Sequence, residues 1–158
     1  MPKPTLYLET SVISYLVGRP SRDVLVLAHQ QVTHEFWAKR LSEFEGYISS
    51  VVLLEARRGE PTLARERIEA LTPFSQLALT PEAESLAIRY RRSNCVPEEA
   101  LVDSLHIALA SLARMEYLLT WNCRHIAGAR IRRRLAEFHA LNGLWLPTIC
   151  TPEELMEG

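Results

Sequence analysis

Residues 5–17 read TLYLETSVISYLV. Thr5 to Leu8 is a short apolar run that stops abruptly at Glu9, the pattern of a buried strand whose C-terminal end opens onto something polar. From Ser11 to Val17 the apolar residues fall at helical spacing, and Gly18 and Pro20 stop the helix. A similar succession returns further on. Tyr47 to Ser49 reads as a second strand, and Ser50 can cap a helix carrying Val51, Val52, Leu54 and Glu55 as far as Gly59.

The segments between and beyond these keep the alternation. Ser21 is placed to cap a long helix from about Arg22 to Phe44, ended by Gly46. A helix over Pro61 to Leu71 leads to a short strand near Phe74 to Leu77. Thr80-Pro81-Glu82 supplies an N-cap, a proline at N1 and an acidic first turn for a helix to Arg92. Pro97-Glu98-Glu99 opens the next helix, whose stretch Ala100 to Ala113, ALVDSLHIALASLA, is apolar nearly all round and is therefore expected to be buried. Tyr117 to Thr120 is a fourth strand, the helix from Arg130 to Leu141 stops at Asn142-Gly143, and Leu144 to Ile149 forms a last strand. Thr151-Pro152-Glu153-Glu154 is a capping box before a terminal helical turn. Strands alternating with helices predict an α/β fold: a central, mostly parallel sheet of four to five strands flanked by helices, as a single domain over residues 1–158.

With 158 residues, 47% hydrophobic and 23% charged, the chain is ordinary for a globular protein and is expected to bury about 68–70% of its unfolded surface. The net charge of −1 leaves room for an acidic pocket beside a basic rim. Of the 18 basic residues all but Lys3 and Lys39 are arginine, which suits phosphate contact but equally reflects genome composition. Three cysteines without CxxC spacing argue against a disulfide framework or a structural zinc site and fit a cytoplasmic protein. The sequence carries no long apolar stretch of signal-peptide or membrane-spanning type, so no membrane partner is expected.

Four polar residues interrupt apolar runs on separate elements: Glu9, Glu55 in SSVVLLEARRG, Asp103 in the helix from Ala100, and Asn122 in LLTWNCRHIA. An ionised carboxylate in apolar surroundings needs a cation, a hydrogen-bond network or an open cavity. Convergence of these residues in one cleft at the C-terminal edge of the sheet, around a divalent cation, meets that need most economically. Crowded carboxylates would then raise at least one carboxyl pKa when no cation is bound. Each residue also has a plainer reading. Glu55 and Asp103 fall in the first turns of their helices, where the dipole favours an acid; Arg57 and Arg58 can pair with Glu55; asparagine is a common turn residue after a strand. His125 and Arg124 follow Asn122 closely and are substrate-side candidates. His106, one turn after Asp103, is expected to pack or bond locally, and His29 and His34 to be solvated. Arg130, Arg132, Arg133 and Arg134 form a cationic run beside the predicted pocket, and Arg89, Arg91 and Arg92 a second one. No P-loop, GxGxxG, GxSxG or HExxH occurs, so P-loop nucleotide hydrolysis and serine-type hydrolysis have no footing.

The strand entering LETSVISYL, the glutamate of SSVVLLEARRG, the aspartate of VDSLHIALA and the TWNCRHIA turn, in that order over nearly the whole chain, resemble a PIN domain. More narrowly they are similar to the VapC-type ribonuclease toxins of toxin-antitoxin pairs. The resemblance implies a PIN-like three-layer fold and a metal-dependent endoribonuclease that hydrolyses RNA phosphodiesters with Mg2+ or Mn2+. Its partners would be RNA, an antitoxin protein and a second copy of the chain. Carried over by position, Glu9, Glu55 and Asp103 are the metal ligands, and Asn122 completes the catalytic set. Thr10, Ser11, Arg124, His125, Arg130, Arg133 and Arg134 are expected on the substrate side, Thr10 and Ser11 by orienting water or phosphate. Two departures stand out: the family usually has aspartate in place of Glu9, and many relatives have an acid in place of Asn122. The alternatives are a PIN-fold module that binds RNA or protein without turnover, and an aspartyl-phosphate phosphatase, which the LETS sequence and the lack of a following DxD fit badly.

Overall fold

The computed structural model describes residues 2–157. Strands β1 (Thr5–Leu8), β2 (Glu45–Ser49), β3 (Ser75–Leu77), β4 (Tyr117–Leu119) and β5 (Thr148–Cys150) form one sheet in the order β3-β2-β1-β4-β5, with every pairing parallel. Helices α1 (Thr10–Val17) and α2 (Val24–Lys39) join β1 to β2, and α3 (Ser50–Ala56) and α4 (Pro61–Leu71) join β2 to β3. Helices α5 (Pro81–Arg92) and α6 (Leu101–Leu112) lead to β4, and α7 (Ala129–Asn142) leads to β5.

Right-handed crossovers turn this strand order into layers. The chain steps from β1 to β2 to β3 in one direction, then returns past β1 to β4 and β5 in the other. The helices of the two excursions therefore cover opposite faces. Accordingly α1 meets α2, α3 and α4, while α5 packs along α6 and reaches α7 through Tyr90 and His139. Leu6, Leu8, Ile48, Leu118 and Leu119 of the inner strands are at most 1% exposed, each such burial contributing about 1.5–3 kcal/mol. The register aligns the strand ends, pairing Leu8 with Leu119 and Ser49 with Leu77. Whatever follows β1, β2 and β4 thus emerges on one edge, at the point where the chain direction switches.

Several element ends differ from expectation for local reasons. Helix α2 is capped by Asp23, which accepts from the Val26 N–H at 3.0 Å; Ser21 instead holds the preceding loop through the Asp23 N–H. Gly46 does not end a helix but lies inside β2, where a Cβ would come within 2.4 Å of the Phe74 ring. Ser49, not Ser50, caps α3, through the Val52 N–H. The last strand is only Thr148–Cys150, because Leu144 and Trp145 are engaged by His139 before the chain reaches the sheet. The α6 helix is not buried all round: Leu101, Val102 and Leu112 at its ends are 41%, 37% and 44% exposed. Thr151 and Glu154 do make the reciprocal cap, although the turns they close do not lengthen into an α-helix.

His139 ties three elements of one layer together. Its Nδ1–H donates to the Trp145 carbonyl at 2.9 Å, and its Nε2 accepts the Tyr90 hydroxyl at 2.7 Å, so both ring nitrogens are used with the ring neutral. Burial lowers its pKa, against the opposing pull of the Trp145 and Leu144 backbone bonds. A depressed histidine contributes stability that is fully present above the unfolded pKa of about 6.5 and is lost as pH falls towards the folded value. Unfolding free energy measured between about pH 7.5 and 5.5 should therefore fall less steeply in His139→Asn than in the wild type; equal slopes would show that the ring is not held neutral.

Candidate active site

Glu9 is fixed by backbone and side chain together. Its N–H donates to the Leu119 carbonyl of β4 at 3.0 Å, and its carbonyl accepts the Val12 N–H as α1 begins. The side chain is buried, 4% exposed, with Oε1 accepting hydroxyls from Ser11 at 2.5 Å and Thr120 at 2.6 Å. Those two hydroxyls are themselves set by backbone amides: Ser11 Oγ accepts the Trp121 N–H, and Thr120 Oγ1 accepts the Asn122 N–H. This clamp fixes one carboxylate oxygen of Glu9 at the end of β1.

Glu55 sits in the last turn of α3, not the first, because the helix starts at Ser50 and ends at Ala56. A carboxylate there gains nothing from the helix dipole. Its Oε1 instead accepts the Thr10 hydroxyl at 2.6 Å and meets His106 Nε2 at 2.6 Å. His106, fully buried on α6, continues through Nδ1 to the Tyr7 hydroxyl at 2.7 Å, and Tyr7 reaches Ser49 Oγ at 2.8 Å. A chain of hydrogen bonds thus runs from the cap of α3 through β1 and α6 to the acid. His106 does not bond locally as the sequence led one to expect; its partners are 51 and 99 positions away.

The titration of this pair follows from its neighbours. Burial alone would raise the Glu55 pKa, yet the hydrogen bond and charge of His106, with help from Thr10 and Arg58, bring it below the usual carboxylate range. Burial would likewise lower His106, but its bond to Glu55 and the charges of Glu9, Glu55 and Asp103 raise it. The expectation that crowding raises a carboxyl pKa is not met at Glu55, because a buried imidazole lies against it. Burial also drives the Tyr7 hydroxyl far above its normal value, keeping it protonated as a donor or acceptor in the chain.

Glu9, Glu55 and His106 each offer a ligand atom, and these atoms lie within 4.8 Å of one another. Both carboxylates spend Oε1 on the protein, and no described donor meets either Oε2. Since no buried side-chain oxygen among the described residues is left without a partner, these Oε2 atoms are not sealed from solvent. Asp103, in the first turn of α6 and partly exposed, has Oδ2 on His125 Nδ1 at 2.8 Å and keeps Oδ1 free of protein donors. The hard oxygens of Glu9 and Glu55 form the heart of a donor set suited to Mg2+ or Mn2+, whereas Asp103 falls outside the group of ligand atoms within 4.8 Å of one another.

Other sequence candidates are placed differently from one another. Asn122 Oδ1 accepts the His125 N–H, and its carbonyl accepts the Ile126 and Ala127 N–H groups, so Asn122 shapes the turn that presents His125 to Asp103. The hydroxyls of Thr10 and Ser11 are both spent on carboxylates, so they hold the acids rather than reach outward. Arg124, Arg130 and Arg134 line a cavity of about 400 Å3 at the start of α7, where Gly128 must lack a side chain because a Cβ would meet the Cys123 carbonyl at 2.5 Å. Arg133 points elsewhere, pairing with Glu137 at 3.5 Å. His29 is not simply solvated; it stacks on Trp121 at 4.1 Å, while His34 is exposed. Tyr7, His106 and Thr120 are the residues that sequence reasoning missed.

In structure the chain is similar to VapC20 of Mycobacterium tuberculosis, described as a toxin cleaving the sarcin-ricin loop. The TM-score is 0.55 and the identity 18%, over 72% of this chain and 87% of that one. It is also similar to a chain of VapBC2 from Rickettsia felis, solved bound to a DNA fragment from the promoter. There the TM-score is 0.56 and the identity 12%, over 93% of this chain and 98% of that one. At these identities the likeness establishes a shared fold, the one the sequence resemblance led us to expect. No family model matches the chain, and no curated protein matches its sequence.

The Tyr7 hydroxyl tests the hydrogen-bond chain. Tyr7→Phe leaves His106 Nδ1 and Ser49 without their shared partner in a buried site, and urea unfolding at neutral pH should show a loss of about 1–3 kcal/mol. Stability equal to the wild type would mean that the chain of bonds is not formed.

Proposed function

We propose that this protein is a metal-dependent endoribonuclease of the PIN fold, the toxin of a toxin-antitoxin pair, acting in the cytoplasm on RNA phosphodiesters. The observation that carries this reading is the pair of glutamates, Glu9 buried and Glu55 half-buried, whose Oε1 atoms are fixed by the protein and whose carboxylates approach within 4.8 Å. The structural likeness to VapC20, a sarcin-ricin loop cleaving toxin, and to a chain of a VapBC2 assembly supports it.

In this reading Glu9 and Glu55, with Asp103, would hold the ion. When bound, Mg2+ or Mn2+ supplies positive charge to the scissile phosphate and acidifies water. The remaining steps fall to the chain itself. His106 keeps Glu55 ionised and oriented. Ser11 and Thr120 orient Glu9. His125, fixed by Asn122, holds Asp103 and stands at the substrate side of it. Arg124, Arg130 and Arg134 take the phosphates next to the scissile one. The partners are RNA, a cognate antitoxin and a second copy of the chain. No described helix is long and apolar enough to cross a membrane.

Cleavage of a fluorescent single-stranded RNA with Mn2+ tests the proposal. Chelation with EDTA should abolish it and added Mn2+ restore it. Asp103→Asn and Glu9→Gln should each cost about 100-fold or more, the scale of losing one electrostatic stabiliser of the reaction, while Glu9→Asp retains activity. RNA binding without turnover would favour the binding module instead, and cleavage that survives both EDTA and Asp103→Asn would overturn the proposal.

A further inference from the structure

Beyond the acids, the surface between α5 and α7 carries cationic groups that extend past the phosphate contacts assigned above to Arg124, Arg130 and Arg134. Three cavities of about 690, 430 and 400 Å3 adjoin there and share Arg134 as a common wall. The first and third also share Pro97, which joins the end of α5 to the turn before α7. Arg89, Arg91, Arg92, Arg124, Arg130 and Arg134 line the tract, against the two carboxylates of Glu98 and Glu137. None of these six arginines is within salt-bridge distance of a carboxylate among the described residues.

A run of arginines at the C-terminal end of a helix has an ordinary explanation, since it complements the dipole of α5. That explains part of the tract. Arg89 donates to Asn142 and lies over Phe138, and Arg91 donates to the Glu98 carbonyl, so both have structural work. It does not explain Arg92, Arg124, Arg130 and Arg134. These are exposed, make no side-chain hydrogen bond among the described residues, and come from three separate segments. Unspent guanidinium groups along a concave track fit a ligand with repeated negative charge.

The position of the tract selects the ligand. It ends at Arg124, beside His125, and His125 is bonded to Asp103, the third of the proposed metal ligands. The ring faces that would stack bases are absent from the lining, where only Phe138 is aromatic and it is buried under Arg89. We propose that this tract is an extended site for the single-stranded RNA that flanks the scissile phosphate, held through its backbone phosphates and without sequence reading. The proposal rests on the ribonuclease reading and adds to the substrate contacts Arg92 of α5 and the terminal nitrogens of Arg91, whose bond to the Glu98 carbonyl uses Nε alone.

Binding of fluorescein-labelled oligouridylates of 20 and 5 nucleotides, read by anisotropy over a salt series, tests it. The parent protein is Asp103→Asn, so that the RNA stays intact. Replacing Arg91, Arg92 and Arg134 together by glutamine should lower the salt slope for the 20-mer by about 2, three contacts at roughly 0.7 each for a single strand. It should also bring the affinity for the 20-mer down towards that for the 5-mer. Lysine at the same three positions should restore the slope, showing that charge and not folding was lost, and Arg22→Gln with Arg65→Gln on other elements should leave it unchanged. An unaltered slope in the glutamine variant, while the parent binds RNA and the wild type cleaves it, overturns the tract and leaves the ribonuclease reading standing. Failure of the parent to bind and of the wild type to cleave any RNA overturns both. Poly-glutamate binding that the glutamine variant loses, with RNA binding intact, overturns the proposal in favour of a protein-docking surface.

Discussion

Two glutamates, one almost wholly buried and one half-buried, stand with oxygen atoms within 4.8 Å of each other at the edge of a parallel sheet. At that separation two unit charges repel by about 3 kcal/mol even with an effective dielectric constant near 20. Nothing in the folding of an ordinary α/β layer calls for such a pair, and a dedicated set of hydroxyls and one buried imidazole holds it. Ser11 and Thr120 donate to one acid; Thr10 and His106 donate to the other. The fold supplies these donors from α1, α6 and the segment after β4, which meet only because β1 lies at the centre of the sheet.

The same arrangement links stability to the site. Tyr7 is a core residue of the central strand, fully buried, and yet its hydroxyl is the middle of the chain from Ser49 to His106. A buried polar network of this kind is favourable only when every member is satisfied. No buried side-chain nitrogen or oxygen lacks a partner among the described residues. The imidazole beside Glu55 offsets part of the local negative charge without occupying the second oxygen of either glutamate. Each acid is thus held by one oxygen, with the other left free of protein donors among the described residues.

Much of this was legible in the sequence because it is written locally. An apolar strand that breaks at a carboxylate and passes straight into a helix gives both the parallel layer and the position of Glu9. Asp103 stands out by its apolar neighbours, and the Thr80-Pro81 and Asn142-Gly143 signals mark helix ends where the structure has them. What stayed hidden depends on contacts between distant segments. His106 shows only its near neighbours in sequence, whereas its partners come from β1 and α3. Gly46 resembles a helix stop until Phe74, on another element, is seen to occupy the space of its missing side chain. The tasks of Thr10 and Ser11 depend on which carboxylate each hydroxyl finds, and spacing along α1 does not tell the two apart.

The central proposal is that Glu9 and Glu55, with Asp103 beside them, hold one cation. Mn2+ binding to the purified protein without nucleic acid, measured by calorimetry or by the electron-spin resonance of the free ion, tests it most directly. The account predicts saturable binding in the wild type at neutral pH, weakened about tenfold or more in Glu9→Gln, which removes a ligand charge while keeping the side-chain shape. Affinity unchanged in Glu9→Gln, or no saturable binding in the wild type, would contradict it.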